Sequence, residues 1–394
     1  MEKNNKKHTF WDTKPIMVNK NKLLSNTPNL VQKVHGFKCP ELSASLYWDV
    51  FHLKENDSVS ESKIEDAYEF LKNNYSTKDS YFQIQYSKNH LEFELGKSKN
   101  IIVAIRTIKN NSIVGIICGS VRPIIFHSEK WFDVLYINFL CVMPSLRHLG
   151  LAPKLITEIS RQAHENWGIQ TAYYNSSNEI PIPFSKTVYL HRILDIHKCI
   201  ETRYWMPTKK NKYLLDKWSK NISENKKIYD FNLIKHTKTS NDNTINIYSK
   251  MSDWINSYYS RNKVLYEEIS QYRMEEMCTS DCIEVFIINN KSTQKPIGCI
   301  SVFHHIYKIE TIDKVLNTGI LYHYGIDKEE EVNSVRIFTE FVEFIKSKNI
   351  WDVFTTTDTS ISDNTYIEGH SYYHYMYNVN MPELSSNQIG LIGL

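Results

Sequence analysis

A short segment in the first half of the chain has the residue types of an anion-binding loop: Arg147, His148, Leu149, Gly150, Leu151 and Ala152. Arg147 carries a fixed positive charge, and Gly150 and Ala152 are small enough to let a phosphate approach the backbone. If a helix begins here, its free N–H groups and the positive end of its dipole add to the attraction. The segment therefore predicts a phosphate site, with an ordinary turn carrying an incidental arginine as the alternative.

The residues on either side of this loop predict the elements that would position it. The run from Val134 to Val142 is rich in β-branched and aromatic residues, which is typical of a buried strand. After the loop, apolar residues recur at helical spacing: Leu151, Leu155, Ile156, Ile159 and Ala163. The loop is therefore expected to join the end of a strand to the beginning of a helix.

The same order of elements is predicted twice along the chain. The first copy has strands at 101–108, 113–121 and 133–142, a helix at 152–165 and a strand at 169–174. The second copy has strands at 283–289, 296–303 and 317–326, a helix at 331–347 and a strand at 350–356. This internal repeat predicts an α/β fold built from two similar halves.

The second copy of the loop differs from the first in its charge. Glu329, Glu330 and Glu331 lie where the second predicted helix begins and would repel a phosphate group. Only the first half is therefore expected to bind a phosphorylated cofactor.

Composition excludes several classes of protein. The formal net charge of +3 is too small to indicate a nucleic-acid partner, and no apolar run approaches the ~20 residues that span a bilayer. The seven cysteines form no CxxC pair and no metal-ligand spacing, which fits free thiols in a reducing compartment. We therefore expect a cytoplasmic protein without stable membrane insertion.

The end of the chain is unusual because residues 388–394 are apolar up to the last one, Leu394. An apolar tail favours burial, and burial of this tail would also bury its α-carboxylate. That is costly unless the charge has a partner or a chemical role.

The strand and loop together carry a family resemblance. Residues 137–142 read Ile-Asn-Phe-Leu-Cys-Val and are followed by Leu146 and Arg147, which closely resembles the signature of protein N-myristoyltransferases. The spacing Arg-x-x-Gly-x-Ala resembles the pyrophosphate loop of GNAT acyltransferases. The segment from Phe10 to Thr13 and the Gly-Leu-Ile-Gly-Leu ending also resemble that family. The resemblance implies two GNAT-like halves about a pseudo-two-fold axis, with a mixed central sheet flanked by helices (α/β, or α+β).

The activity implied by this resemblance is that of a glycylpeptide N-tetradecanoyltransferase, with myristoyl-CoA as co-substrate and no metal. In the family the signature strand bulges, so the backbone N–H groups of Phe139 and Leu140 would form an oxyanion hole, and the carboxylate of Leu394 would be the base. A nucleophilic Cys141 is less favoured, because the family transfers the acyl group directly and buried cysteines usually pack. By the same resemblance, residues expected to contact the cofactor are Thr9, Phe10, Trp11, Leu140, Cys141, Val142, Arg147, His148, Leu149, Gly150, Leu151 and Ala152.

The acceptor side of the resemblance is looser. The residues expected to bind an N-terminal glycine peptide or protein are Tyr75, Tyr174, Asn175, Tyr189 and His191. Asn175 replaces a family threonine, the acidic run after Tyr75 is absent, and the Gly-Asp-Gly loop is replaced by residues 368–371. These departures should weaken a preference for basic peptides. They also leave two alternatives, a same-fold acyl-CoA transferase for a different amine and a non-catalytic protein that binds acyl-CoA or a lipopeptide.

The expected organisation has four parts. Residues 1–9 form a flexible tail, and 10–205 form the GNAT-like half that binds acyl-CoA. Residues 206–245 are a Lys- and Asn-rich linker with some helix. Residues 246–394 form the second, peptide-binding half, whose C-terminus returns to the active site.

Overall fold

One large mixed sheet flanked by helices makes up the fold, which confirms the predicted fold class. The structure is a computed structural model and describes residues 28–33, 36, 38–54, 57–75, 81–180, 182–219, 223, 226–234, 242–358 and 360–391. The strands are β1 (Asn29–Leu30), β2 (Leu46–Phe51), β3 (Gln83–Gln85), β4 (Asn100–Thr107), β5 (Ile113–Phe126), β6 (Glu129–Val142), β7 (Ala172–Ser176), β8 (Ser185–Ile193), β9 (Tyr229–Ile234), β10 (Leu265–Glu267), β11 (Ile283–Asn290), β12 (Pro296–Ile309), β13 (Lys314–Ile326), β14 (Val353–Thr356), β15 (Ile367–Tyr377), β16 (Val379–Asn380) and β17 (Ile389–Gly390). The helices are α1 (Ser58–Asn74), α2 (Lys88–Leu95), α3 (Leu151–Trp167), α4 (Ile196–Glu201), α5 (Tyr213–Ser219), α6 (Asp242–Asn262), α7 (Gln271–Thr279) and α8 (Ser334–Lys348).

The internal repeat predicted from the sequence is present. In the first half β4, β5 and β6 pair antiparallel in chain order, α3 follows, and β7 returns parallel to β6. In the second half β11, β12 and β13 pair in the same way, α8 follows, and β14 returns parallel to β13. A helix between two parallel neighbouring strands is the usual way for the chain to cross back over a sheet.

The two halves share one sheet because strands from each lie among strands of the other. The strand order is β17-β10-β5-β6-β7-β15-β8-β14-β13-β12-β11-β9, with β4 and β2 extending from β5 and β3 from β12. The late strand β15 pairs with both β7 and β8, and β10 and β17 lie beside β5. The halves therefore interlock rather than meet across a simple interface.

Helices cover both faces of the first-half sheet, and the burial pattern of its strands reflects this. In β4, Ile101, Val103 and Ile105 pack in the cluster that contains α3, whereas Ile102 and Ala104 pack with α1 and α2. Successive side chains of a strand point to opposite faces, so a strand buried on both faces reads as a continuous apolar run.

The helix α3 follows the predicted spacing. Leu151, Leu155, Ile159 and Ala163 are buried along one face, and the helix ends at Gly168, whose φ of 70° places it in the left-handed region typical of a helix C-cap.

The region expected to be a linker contains more regular structure than predicted. The expected helix corresponds to α5, and the strand β9 was not expected. It pairs antiparallel with β11 over six residues and lies at one end of the strand order. Pairing with β11 is a tertiary interaction, which local sequence does not reveal.

Three further observations bear on function. No helix in the described part of the chain is long and apolar enough to cross a membrane. All seven cysteines are free thiols. Across the described ranges, no group of three or more His, Cys, Asp or Glu side chains is placed to hold a metal ion.

Candidate active site

The strand β6 carries a β-bulge at the two residues predicted to hold an oxyanion. Ile116 pairs with Cys141 and Cys118 pairs with Asn138, so Phe139 and Leu140 together face the single residue Ile117. Phe139 has a φ of 52°, which is uncommon for any residue other than glycine. The bulge that the resemblance implied is therefore present, and it separates this segment from the regular pairing of β5 and β6.

A gap in the sheet opens beside the bulge. The strands β6 and β7 pair only through Leu135 with Ala172 and Tyr136 with Tyr173. From Ile137 onward they are not paired, and a cavity of about 490 Å³ lies between them. Residues of both strands line this cavity, at 137–140 and 174–176. The bulge therefore faces an open space in the middle of a sheet.

The cavity wall has two chemically different parts. Aliphatic side chains come mainly from β5, β6, α3 and β7, with further ones from β3 and β13: Ile117, Ile137, Ile156, Ile159, Ala172, Ile84 and Ile320. Aromatic and imidazole side chains come mainly from the end of α1, the β3 region, β8, β12 and β15, with Tyr174 from β7: Tyr75, Tyr86, Tyr189, His191, His305, Tyr307, Tyr372 and Tyr377. No Asp, Glu, Lys or Arg is among the described residues that line it. Such a wall suits an apolar chain on one side and an uncharged polar segment on the other.

All five residues predicted to bind the acceptor line this cavity together with Phe139 and Leu140. Tyr75 is the C-cap of α1, and the other four lie on β7 and β8, so the fold brings together positions that are far apart in sequence. Sequence reasoning missed Tyr86, His305, Tyr307 and Tyr372. No single spacing pattern links them, because they belong to three separate segments: Tyr86 follows β3, His305 and Tyr307 lie on β12, and Tyr372 lies on β15.

His191 is held in one orientation by its neighbours. Its Nδ1 lies 2.8 Å from the hydroxyl of Thr355 and 3.2 Å from that of Tyr204. Burial lowers the pKa of His191 to about 4, so the ring is uncharged at neutral pH. Its Nε2 packs on Gly369, where an added Cβ would lie 2.1 Å away. Gly369 therefore shapes this end of the cavity, although the sequence showed only that a family loop was missing there.

The predicted phosphate loop lies at the far end of β6, outside the cavity lining. It forms a 3-10 turn over Pro144–Leu149, and Gly150, with a φ of 66°, precedes the first turn of α3. Arg147, His148, Leu149 and Gly150 are all exposed, whereas Leu151 is buried. The Arg147 side chain donates through Nε to the carbonyl of Val142 at 3.1 Å. An exposed arginine beside a helix N-terminus is an arrangement suited to a phosphate.

Cys141 and Val142, also predicted cofactor residues, are buried. Burial raises the pKa of the Cys141 thiol to about 11, so the thiolate form is disfavoured at neutral pH. This agrees with the expectation that Cys141 packs rather than acts as a nucleophile.

Asn138 links the bulge to the interior, and sequence reasoning did not single it out. Its side-chain Oδ1 accepts a hydrogen bond from the Phe139 N–H at 3.1 Å, and its Nδ2 donates to Glu94 Oε2 at 3.1 Å. Asn138 also lines the cavity.

The described end of the chain returns to the first half of the sheet. The strand β17 pairs parallel with β10, which in turn pairs with β5. Lys263 donates to Asp358 at 2.5 Å and to the carbonyl of Asn387 at 3.1 Å, which ties the tail to the end of α6. Leu391 is buried and lines a small void with Tyr136 and Tyr173. The predicted residues Thr9, Phe10, Trp11 and Leu394 lie outside the described residues.

Comparisons with family models, with known proteins and with solved structures all find similarity to N-myristoyltransferases. The family model described as "Myristoyl-CoA:protein N-myristoyltransferase, N-terminal domain" matches residues 30–187. The chain is similar to the glycylpeptide N-tetradecanoyltransferase of Aspergillus fumigatus, with 29% identity over 201 residues, which are 50% of this chain and 40% of that protein. The corresponding protein of Dictyostelium discoideum is 28% identical over 203 residues, covering 50% of this chain and 48% of the relative. These alignments thus span less than half the length of either relative.

Two longer matches extend over almost the whole chain. A probable glycylpeptide N-tetradecanoyltransferase of Caenorhabditis elegans aligns at 24% identity over 99% of this chain and 86% of its own length. The crystal structure of Saccharomyces cerevisiae N-myristoyltransferase with bound myristoyl-CoA superposes with a TM-score of 0.80 at 20% identity, covering 98% of this chain and 95% of that chain. These findings confirm the resemblance seen in the sequence. Residues 30–187 match the N-terminal domain of the N-myristoyltransferase family, and over nearly its whole length the chain has the N-myristoyltransferase fold.

Proposed function

We propose that this protein is a glycylpeptide N-tetradecanoyltransferase, which transfers a myristoyl group from myristoyl-CoA to the amine of an N-terminal glycine in a peptide or protein. The observation that carries the proposal is the bulge at Phe139 and Leu140, which faces a gap with an aliphatic wall and an uncharged polar wall. The family match and the names of the similar proteins support this choice of donor and acceptor.

The first chemical requirement is to stabilise charge on the thioester oxygen. As the amine attacks, negative charge develops on that oxygen, and fixed N–H donors lower the barrier. The N–H groups of Phe139 and Leu140 are proposed as these donors. The bulge supports this role, because it removes both residues from the regular ladder.

The second requirement is a neutral amine, because an ammonium has no free electron pair. The carboxylate of Leu394 is proposed as the base that takes the proton. Burial of Leu391 next to Tyr136, two residues before Asn138, supports a tail that reaches the site. In the step, the C–N bond of the amide forms, the C–S bond breaks, and coenzyme A leaves as its thiol.

The donor is proposed to lie along the first half, residues 10–205. Its acyl chain would take the aliphatic wall, and its pyrophosphate would bind at Arg147 and the N-terminus of α3. The remaining proposed cofactor contacts are Thr9, Phe10, Trp11, Leu140, Cys141, Val142, His148, Leu149, Gly150, Leu151 and Ala152. No metal is required, since a thioester is already an activated acyl donor.

The acceptor is proposed to enter along the aromatic wall, with Tyr75, Tyr174, Asn175, Tyr189 and His191 as its contacts. The second half, residues 246–394, contributes His305, Tyr307 and Tyr372 to the same wall. Because no charged side chain is present in the described lining, a basic side chain there would lose hydration without gaining a counter-charge. We therefore infer a weaker preference for basic peptides. The free thiols support a reducing compartment, the cytoplasm.

The test is release of coenzyme A from myristoyl-CoA, measured with peptides that begin with glycine and with matched peptides that begin with alanine or N-acetylglycine. We expect release only with a free glycine amine, and a mass increase of one myristoyl group on the peptide. Reaction only with other amines would overturn the choice of acceptor. Tight binding of myristoyl-CoA with no release under any acceptor would overturn the enzymatic function itself.

A further inference from the structure

Glu94 is a buried carboxylate that lies beside the oxyanion site and has no role in the mechanism above. It belongs to the last turn of α2 and is 3% exposed. Its Oε2 accepts from Asn138 Nδ2 at 3.1 Å, and its Oε1 has no hydrogen-bond partner among the described residues. A buried carboxylate oxygen without a partner is costly, which makes its presence next to the bulge notable.

The surroundings of Glu94 hold it firmly in place. Its own backbone carbonyl accepts from Ser120 Oγ at 3.1 Å and from Arg122 Nη2 at 2.8 Å. Arg273, from the second half, donates to the carbonyl of Phe93 at 3.0 Å. Burial raises the pKa of Glu94, and the charges of Arg122, Arg273 and Glu267 also act on its carboxyl. Both halves of the molecule therefore fix the backbone that carries this carboxyl.

The hydrogen bonds of Glu94 determine which way the Asn138 amide faces. A carboxylate only accepts, so the Nδ2 of Asn138 must face Glu94 and its Oδ1 must face the Phe139 N–H. A flipped amide would set Oδ1 against the carboxylate and leave the Phe139 N–H facing a donor. Phe139 has a positive φ that costs free energy and persists only where neighbouring contacts hold it.

We propose that Glu94 is a positioning residue for the oxyanion site, acting through Asn138 to hold the peptide between Asn138 and Phe139 in the orientation that presents the Phe139 N–H to the cavity. In the free protein Asn138 Oδ1 satisfies this N–H. When the thioester binds, its oxygen shares or replaces that acceptor. This inference rests on the proposed acyl transfer, since an oxyanion site has a role only if that reaction occurs.

The test exchanges donor and acceptor across the hydrogen bond with substitutions that conserve volume. Asn138→Asp places two carboxyl groups against each other, and we expect kcat to fall by about 10- to 100-fold, less than the loss of about 10²–10³ when an oxyanion donor is removed. Adding Glu94→Gln restores the hydrogen bond with donor and acceptor exchanged: the side-chain amide introduced at position 94 donates to the carboxylate introduced at position 138. The double variant should recover kcat to within about 3-fold of wild type. The KM for myristoyl-CoA should stay within about 3-fold throughout.

The matched control adds Glu267→Gln to Asn138→Asp. Glu267 belongs to the same buried ionic cluster and pairs with Arg122 at 3.2 Å, but it is bonded to Arg122 rather than to Asn138. This pair should not recover kcat. Equal recovery would show that only the net charge of the cluster matters and would overturn the proposal. So would a folded protein carrying both Asn138→Asp and Glu94→Gln that remains as slow as Asn138→Asp.

Thermal unfolding and calorimetric binding of myristoyl-CoA confirm that each variant is folded. If Asn138→Asp does not fold, Glu94→Met provides a second measurement, and a folded Glu94→Met protein with wild-type kcat overturns the proposal. The failure of the proposed function is distinguishable, because then the wild type itself releases no coenzyme A with glycine peptides. Wild-type activity together with failed rescue refutes only the role of Glu94.

Discussion

At the scale of single residues, the end of the cavity at His191 depends on a residue without a side chain. Gly369 lies against the His191 ring so closely that an added Cβ would be 2.1 Å from Nε2 and 2.6 Å from Cδ2. The ring cannot easily move, because Thr355 and Tyr204 hold its other nitrogen. Substitution at Gly369 is therefore a direct way to displace His191 without changing it.

We expect Gly369→Ala to raise the KM for a glycine peptide by about 10-fold, which is below the upper limit of about 10²-fold for displacing a positioning group by about an ångström. The KM for myristoyl-CoA should be unchanged. Steady-state kinetics with each substrate varied in turn measure both constants. Gly36→Ala is the control, because an added Cβ there meets nothing within 4 Å. An unaltered peptide KM in Gly369→Ala would contradict a role for His191 in acceptor binding.

Residue-level prediction from the sequence succeeded where a residue belongs to a local pattern. The strand, the small-residue loop and the helix face around Gly150 are such patterns, and the structure has all of them. It failed for Glu94, which is 44 positions from Asn138 and meets it only after folding. The bulge at Phe139 was known only by resemblance, because the alternation of side chains does not reveal an inserted residue.

At the scale of elements, a two-residue strand attaches the C-terminal segment. The strand β17 pairs with β10 through Leu265 with Ile389 and Tyr266 with Gly390. So short a strand contributes little pairing energy. Lys263 adds to the attachment, because it forms an ion pair with Asp358 and also donates to the carbonyl of Asn387. Both charged side chains are nearly buried.

Lys263→Met should lower the free energy of unfolding by about 3–5 kcal/mol, because it leaves Asp358 buried without its counter-charge. Denaturant unfolding measures this change, and kcat should fall with it if the tail supplies the base. Adding Asp358→Leu should recover part of the stability, since replacing both members of a buried pair is far less costly than removing one. Lys210→Met, at an exposed position, is the control and should stay within about 0.5 kcal/mol of wild type. A loss no larger than that of the control would contradict an anchoring role.

The element repeat was predictable because hydrophobic periodicity is local, and both copies of β-β-β-α-β are found as expected. The order of strands in the sheet was not predictable. Insertion of β15 between β7 and β8 depends on contacts between residues almost two hundred positions apart. The strand β9, inside the expected linker, was missed for the same reason.

At the scale of the whole molecule, three histidines are buried in different parts of the core. His90, His323 and His374 are at most 4% exposed. Burial lowers the pKa of His90 to about 3 and those of His323 and His374 to about 4. All three are therefore neutral in the folded protein over the range in which an unfolded histidine becomes charged.

Stability should consequently fall on mild acidification. Above the unfolded pKa of about 6.5 the three histidines have no effect, and between about 6.5 and 4 the unfolded chain binds protons that the folded chain does not. The loss of stability should be at most about 1.4 kcal/mol per pH unit for each histidine. Buried Glu94 has the opposite effect, because its raised pKa lets the folded protein bind a proton more readily than the unfolded chain does. Melting temperatures measured from about pH 7.5 to 4.5 test this.

His90→Phe removes one of the histidines whose pKa is lowered by burial, which also include His191 and His305 at the cavity, and should make the decline in melting temperature shallower. His148→Gln, at an exposed position, is the control and should follow the wild type. A melting temperature that does not change between about pH 7 and 5 would contradict the prediction.

The gap between β6 and β7 also bears on solubility. Unpaired strand edges can pair with another chain and cause aggregation, and proteins usually prevent this with charged residues, prolines or short edge strands. Here the unpaired edge lies within the sheet, next to the cavity, and not at the outer edge along which two sheets pair. The backbone of β6 beside the cavity can therefore stay outside the regular ladder without forming an outer edge of the sheet.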